Sequence, residues 1–238
     1  MTDAKSAGTG TRFPSPAPHS QVRGRDRGKS SKRRFEDGSY FLQRFLQSPK
    51  HIASVWPSSR FLADQMFRDL SLTSGDVVIE YGPGTGAFTQ CVERLRNDGT
   101  ILRYLGVERD PGMYQYLTRR FPDLEFVLGD ALDVLDFCKA RGLPAATAVI
   151  SGLPLVLMNH RTMYGIFAAT RDCLRADGMF RTFSYIHSYP SRRAAELRDL
   201  MRQCFEEYEL SRPVVRNLPP AFTLTGRSPR LAPLYQSK

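Results

Sequence analysis

Three carboxylates, Glu80, Glu108 and Asp130, fall where chemistry can use them. Each closes a short apolar stretch that reads as a buried strand: Val77-Val78-Ile79, Ile101 to Val107, and Glu125 to Leu128. Directly after Glu80 comes Tyr81-Gly82-Pro83-Gly84-Thr85-Gly86, then a helical pattern with Phe88, Val92 and Leu95. A strand that enters a glycine-rich turn and then a helix lets a ligand approach the backbone closely, and the helix N-terminus favours negative charge. Formally, Gly82-x-Gly84-x-x-Ala87 satisfies a dinucleotide-binding fingerprint. Three residues argue against a pyrophosphate there. Glu80 would repel it and suits an ammonium instead. Pro83 stiffens the turn and removes an amide donor. Asp130 adds a further acid at the end of the third strand.

The elements that must position these acids alternate along the chain. A helix capped by Ser58 or Ser59 carries Phe61, Leu62, Met66 and Leu70. After the second strand comes a helix with Met113, Leu117 and Phe121. A fourth strand is predicted over Ala146 to Ile150, a helix over Met163 to Leu174 and a strand over Met179 to Tyr185. A last helix carries Ala194, Leu197, Met201, Cys204 and Phe205. Near-continuous apolar strands alternating with helices predict a mostly parallel sheet covered on both faces.

Composition bounds the partners. Of 238 residues, 41% are hydrophobic and 24% charged, which suits a chain that buries a core and excludes a fully disordered or multi-span membrane protein. Lys and Arg total 34 against 24 acids, a formal charge of +10, which points to an anionic partner such as nucleic acid or an acidic membrane surface. The excess concentrates in residues 1–37, a Gly/Ser/Pro-rich segment predicted to be disordered; up to Arg34 it holds nine basic residues and two acids, a net of +7. No apolar h-region occurs in the first 35 residues, so no secretory signal is expected. Cys91, Cys138, Cys173 and Cys204 lie far apart, without metal-ligand spacing, and read as buried small hydrophobes in a reducing compartment. No metal is expected. Within residues 38–57, Phe41, Leu42, Phe45 and Leu46 share one helical face, with Gln43, Arg44 and Gln47 opposite, and Pro49 ends the helix. Such a helix packs on a core or lies in a membrane interface.

Glu80 to Gly86 resembles the first motif of class I S-adenosylmethionine-dependent methyltransferases. The resemblance implies a Rossmann-like fold with a mostly parallel seven-stranded sheet over residues 58–238, and S-adenosyl-L-methionine as cofactor. It implies that Glu108 takes both ribose hydroxyls, because a carboxylate accepts two hydrogen bonds at once. Val127-Leu128-Gly129-Asp130-Ala131 is similar to the third motif, with Asp130 at the adenine amino group and the Ala131 amide facing the ring. The implied cofactor-binding set is Glu80, Gly82, Gly84, Gly86, Glu108, Arg109, Asp130, Ala131 and Ser151.

The substrate end speaks through Ser151-Gly152-Leu153-Pro154-Leu155. Adenine methyltransferases carry Asn/Asp-x-Pro-Tyr/Phe at this place, where the amide holds the amino group and the aromatic stacks on the base. Here Ser151 replaces the amide and Leu155 the aromatic. Residues 38–225 resemble the bacterial phospholipid N-methyltransferases, relatives of the ribosomal adenine dimethylases. The matching pieces are Ser48 to Ser59, Glu80 to Gly86, Ser151 to Leu155, Phe183-Ser184-Tyr185 and Arg216 to Phe222. The basic tail is a departure that the family does not explain. The implied reaction methylates the amine of phosphatidylethanolamine stepwise towards phosphatidylcholine; related members act on ornithine lipids.

The reaction asks for positioning and a route for one proton. Tyr185 is the first candidate for that relay, with Tyr40 beside it. Trp56, Ser58, Arg216 and Phe222 are candidate substrate-binding residues, and Tyr40, Trp56, Tyr185 and Phe222 offer aromatic surface to a methylated ammonium. Phe41, Leu42, Phe45 and Leu46 are the candidate membrane-binding residues of a peripheral enzyme on the cytoplasmic face of the inner membrane, with a phospholipid substrate and an anionic membrane surface as partners. A nucleic-acid methyltransferase whose tail grips phosphates, and a cofactor-binding module without turnover, are the rival readings.

Overall fold

The computed structural model describes residues 60–100 and 102–230. The expected tail at 1–37, the amphipathic segment at 38–57 with Tyr40, Phe41, Leu42, Phe45, Leu46 and Trp56, and the cap at Ser58 or Ser59 lie outside the described residues. Seven strands build the core: β1 (Val77–Tyr81), β2 (Arg103–Glu108), β3 (Glu125–Leu128), β4 (Ala146–Ser151), β5 (Leu174–Tyr185), β6 (Phe205–Leu210) and β7 (Ala221–Pro229). They lie side by side in the order β3-β2-β1-β4-β5-β7-β6. All pairings are parallel except those of β7, which runs antiparallel to both β5 and β6. This is the Rossmann-like class I methyltransferase fold the motifs implied.

Strand alternation explains how helices cover both faces. Val77, Ile79 and Tyr81 of β1, Leu105 of β2 and Val149 of β4 pack in one cluster. Its helices are α4 (Val134–Ala140), α5 (His160–Cys173) and α6 (Arg192–Cys204), through residues such as Cys138, Phe167 and Met201. Val78, Tyr104, Ala148 and Ile150 face the other way, onto α1 (Arg60–Phe67), α2 (Thr89–Asn97) and α3 (Pro111–Arg120). All four cysteines are buried and free.

Two boundaries differ from the sequence expectation. Leu70 lies beyond α1, which stops at Phe67. The reason is Arg181, a buried cation in β5 whose Nη1 donates to the carbonyls of Gln65, Met66 and Arg68 at 3.2, 3.1 and 2.6 Å, while Nε donates to Thr225 Oγ1 at 2.8 Å. It takes up the carbonyls a helix end leaves unpaired. Phe205 opens β6 rather than closing the last helix. Strand β4 meets β1 where the strand order reverses, the place at which open α/β sheets form a crevice beyond the carboxyl ends of their strands.

Candidate active site

The turn after β1 occupies that crevice. Gly82, Gly84 and Gly86 have φ of +62°, +56° and +83°, in the left-handed region that side chains avoid. The turn's amides decide what it can hold. Gly82 N–H donates to Val107 O and Gly86 N–H to Pro83 O, and Pro83 has none to give. Gly84 N–H donates to Glu108 Oε2 at 3.0 Å. A pyrophosphate needs such donors, and here they are engaged, one of them by an acid.

Glu108, buried at the end of β2, also accepts from the Arg109 and Asp110 amides through Oε1, at 2.8 and 2.9 Å. Burial pushes its carboxyl up, against the pull of these three donors. Asp130 follows β3; its Oδ1 accepts from Leu132 N–H at 3.1 Å, which opens the short helical turn Ala131–Asp133. Arg109 Nη1 lies 3.3 Å from Asp130 Oδ2, so the ends of β2 and β3 are joined by an ion pair. Ala131 is buried directly after it.

Glu80 points to the α2 side. It is buried, and Oε2 accepts from Thr89 Oγ1 at 2.9 Å and from Tyr104 OH at 2.7 Å, while Oε1 has no partner among the described residues. Desolvation pushes its carboxyl up to about 7 against these two hydrogen bonds, with Glu108 adding like charge. A buried acid with one oxygen unsatisfied beside a glycine turn fits a cationic ligand with donors to offer. Thr89 and Tyr104 were not singled out from the sequence; the alternation that puts Tyr104 on the α2 face was the available signal.

Gly152 lies in the Ser151 to Leu155 motif but had no role assigned from the sequence. Its N–H donates to Tyr81 O at 2.8 Å, and a Cβ there would stand 2.6 Å from Gly82 O. Backbone therefore meets backbone across the crevice, and only glycine fits. Ser151, fully buried at the end of β4, accepts from Leu153 N–H at 3.3 Å. Leu155 is 1% exposed and belongs to the core.

Tyr185 ends β5, stacked on His187 with centroids 5.6 Å apart and edge-on to Phe183 at 5.6 Å. Burial pushes its hydroxyl up. Tyr185 pairs with Ala221 and Ser184 with Phe222, so Tyr185 and Phe222 stand on opposite faces of the sheet. Of the four aromatics offered for a methylated ammonium, these two therefore cannot share one surface. Phe222 is buried against Tyr189 at 5.4 Å. Arg216 lies over Phe61 at 5.1 Å.

The chain is 30% identical over 190 residues to the ornithine lipid N-methyltransferase of Singulisphaera acidiphila, covering 78% of this chain and 93% of that one. The chain belongs to the bacterial phospholipid N-methyltransferase family. It is a methyltransferase with S-adenosylmethionine as cofactor. A ribosomal RNA small subunit methyltransferase A from Thermotoga neapolitana is 30% identical over 120 residues, 49% of this chain and 42% of that one. In fold, the chain matches a Burkholderia thailandensis 1,6-didemethyltoxoflavin-N1-methyltransferase, with a TM-score of 0.58 at 14% identity over 90% of this chain and 93% of that one. No family model matches the chain.

Proposed function

We propose that the protein transfers methyl groups to the amine of a membrane lipid headgroup, of phosphatidylethanolamine or ornithine-lipid type. The observation that carries this reading is the loop Ser151 to Leu155. Where a base-modifying enzyme needs an exposed aromatic to stack on, this chain has Leu155, turned into the core. The relatedness agrees, because it spans 93% of the ornithine lipid enzyme and only 42% of the ribosomal RNA enzyme.

The residues at the crevice fit the cofactor. Glu108 would accept the ribose hydroxyls, Asp130 would exchange Arg109 for the adenine amino group, and the Ala131 amide would face the ring. Glu80, with one oxygen unpaired, would stand towards the ammonium beneath Gly82, Gly84 and Gly86, and Ser151 would close the β4 side. When bound, S-adenosylmethionine supplies a sulfonium methyl group open to attack by a neutral amine. The protein's own part is to hold the amine in line and to take its proton. Tyr185, a phenol whose pKa burial raises, would take the amine proton on its oxygen while giving its own hydroxyl proton to solvent water, which carries the proton away.

Docking on an anionic membrane follows from the basic tail and from the segment with Phe41, Leu42, Phe45 and Leu46. Among the described residues no helix is long and apolar enough to cross a membrane. The test incubates purified protein with labelled S-adenosylmethionine and, separately, phosphatidylethanolamine liposomes, ornithine-lipid liposomes and total RNA. Label in a methylated lipid names the headgroup; label only in RNA overturns the proposal.

A further inference from the structure

An apolar rim stands at the carboxyl end of β5, outside the crevice. Val215 and Leu218, in the turn between β6 and β7, are 73% and 74% exposed, the highest values among the large hydrophobics of the described residues. The turn is braced. Val214 N–H donates to Ala221 O at 2.6 Å, Asn217 N–H to Val214 O at 3.1 Å, and the buried Asn217 Nδ2 to Pro219 O at 2.7 Å. Pro213, Pro219 and Pro220 restrict its φ angles. The two side chains are therefore presented outward by a shaped backbone. Ile186 N–H donates to Pro220 O at 3.0 Å, which sets the exposed Ile186 against the same turn.

Charge follows the same rim. Residues 211–220 contain Arg212 and Arg216 and no acid. Residues 186–195 contain Arg192 and Arg193 and no acid, though both arginines reach Glu196. The acids of β6 come before the turn, the last being Glu209. Arg60, at the start of α1, and Arg216, in the turn, both lie over Phe61, at 5.2 and 5.1 Å, so a further cation stands beside the turn. Ala221, which follows the turn, pairs with Tyr185, so the rim and the candidate relay share one end of the sheet.

We propose that the β6–β7 turn is a docking surface for an anionic lipid bilayer. Val215 and Leu218 enter the interface, and Arg212 and Arg216 lie at headgroup level, turning the crevice towards the membrane. Apolar side chains ringed by cations match a surface that is apolar inside and anionic outside. The inference rests on the lipid-amine reading but is measured apart from it.

The full chain and its Val215→Ser/Leu218→Ser variant are co-sedimented with vesicles of equal parts phosphatidylglycerol and phosphatidylcholine, which offer no amine acceptor, and with pure phosphatidylcholine. Turnover of monomeric short-chain phosphatidylethanolamine and ornithine lipid is read in parallel. The expected result is about a tenfold loss of partition to the anionic vesicles, with monomer turnover unchanged. Partition equal to that of the unaltered chain, or equal binding of the unaltered chain to both vesicle types, overturns the docking surface. Reduced partition with no lipid methylated by either protein keeps the surface and overturns the lipid-amine reading. If the double variant fails to bind S-adenosylhomocysteine, Arg212→Glu decides: partition to anionic vesicles falls at low salt if the surface is real, and is unchanged if it is not.

Discussion

The Tyr104 hydroxyl donates to Glu80 Oε2 at 2.7 Å across the face of the sheet that looks onto α2. Gly106 stands directly opposite Glu80 in β2 and leaves the room for that reach, since a Cβ there would come 2.9 Å from the Tyr104 hydroxyl. The pair satisfies one oxygen of a buried acid, while the other has no hydrogen-bond partner among the described residues.

Burial raises Glu80 from 4.5 to about 7, so the folded protein binds this proton more tightly than the unfolded chain. Its contribution to stability is full below about pH 4.5, is lost as pH rises to about 7 and stays lost above. The span is about 3 kcal/mol at 1.36 kcal/mol per pH unit. Glu80→Gln should flatten this dependence and raise the urea midpoint at pH 8, while weakening S-adenosylhomocysteine binding in calorimetry. A variant with the unaltered chain's pH profile would refute the assignment.

Asp76 titrates the other way. Burial pushes its carboxyl up, but hydrogen bonds from Thr147 and Thr73 and the Arg175 charge outweigh that and hold it at about 2. Thr147 Oγ1 donates at 2.7 Å and Arg175 Nη1 at 2.8 Å, tying β4 and β5 to the start of β1. The stabilisation is present above about pH 4 and is lost as pH falls to about 2. Asp76→Asn should cost about 2 kcal/mol at neutral pH in urea unfolding and remove that part of the acid sensitivity.

Gly152→Ala places a methyl group 2.6 Å from Gly82 O, against backbone that cannot swing away. The glycine turn has to move. Cofactor affinity should fall by about tenfold or more, about 1.4 kcal/mol, with the sheet still folded by circular dichroism. Unchanged affinity would show that the turn does not hold the cofactor.

Tyr185→Phe removes the hydroxyl proposed as the relay and keeps the ring. Methyl transfer should slow by about a hundredfold in kcat, with the KM for S-adenosylmethionine unchanged. A fall confined to KM would make Tyr185 a packing residue.

The acids and the glycine turn were legible because strand, turn and helix follow one another within a few residues of Glu80. The parallel strands were legible because burial on both faces makes them nearly continuous in apolar residues. Strand β6, Phe-Glu-Glu-Tyr-Glu-Leu, was not: an edge strand facing water carries acids that read as a loop. Strand β7 hides its burial behind Thr223 and Thr225, both buried although polar. Helix α4 is only seven residues long, too short for a periodic pattern to show. The partners of Glu80 became visible only when register set Tyr104 beside it, since contacts between strands have no local signature.

Arg181 fixes more than a helix end. Because one guanidinium in the middle of β5 holds the carbonyls of Gln65 and Met66 in α1 and of Arg68 just beyond it, that end of the helix cannot peel away without stripping three acceptors from a buried cation. Burial lowers this cation to about 10, still charged at neutral pH. A pull through the start of the helix would therefore reach its unbraced first turn before the anchored end, which stays fixed to the strand that ends at Tyr185.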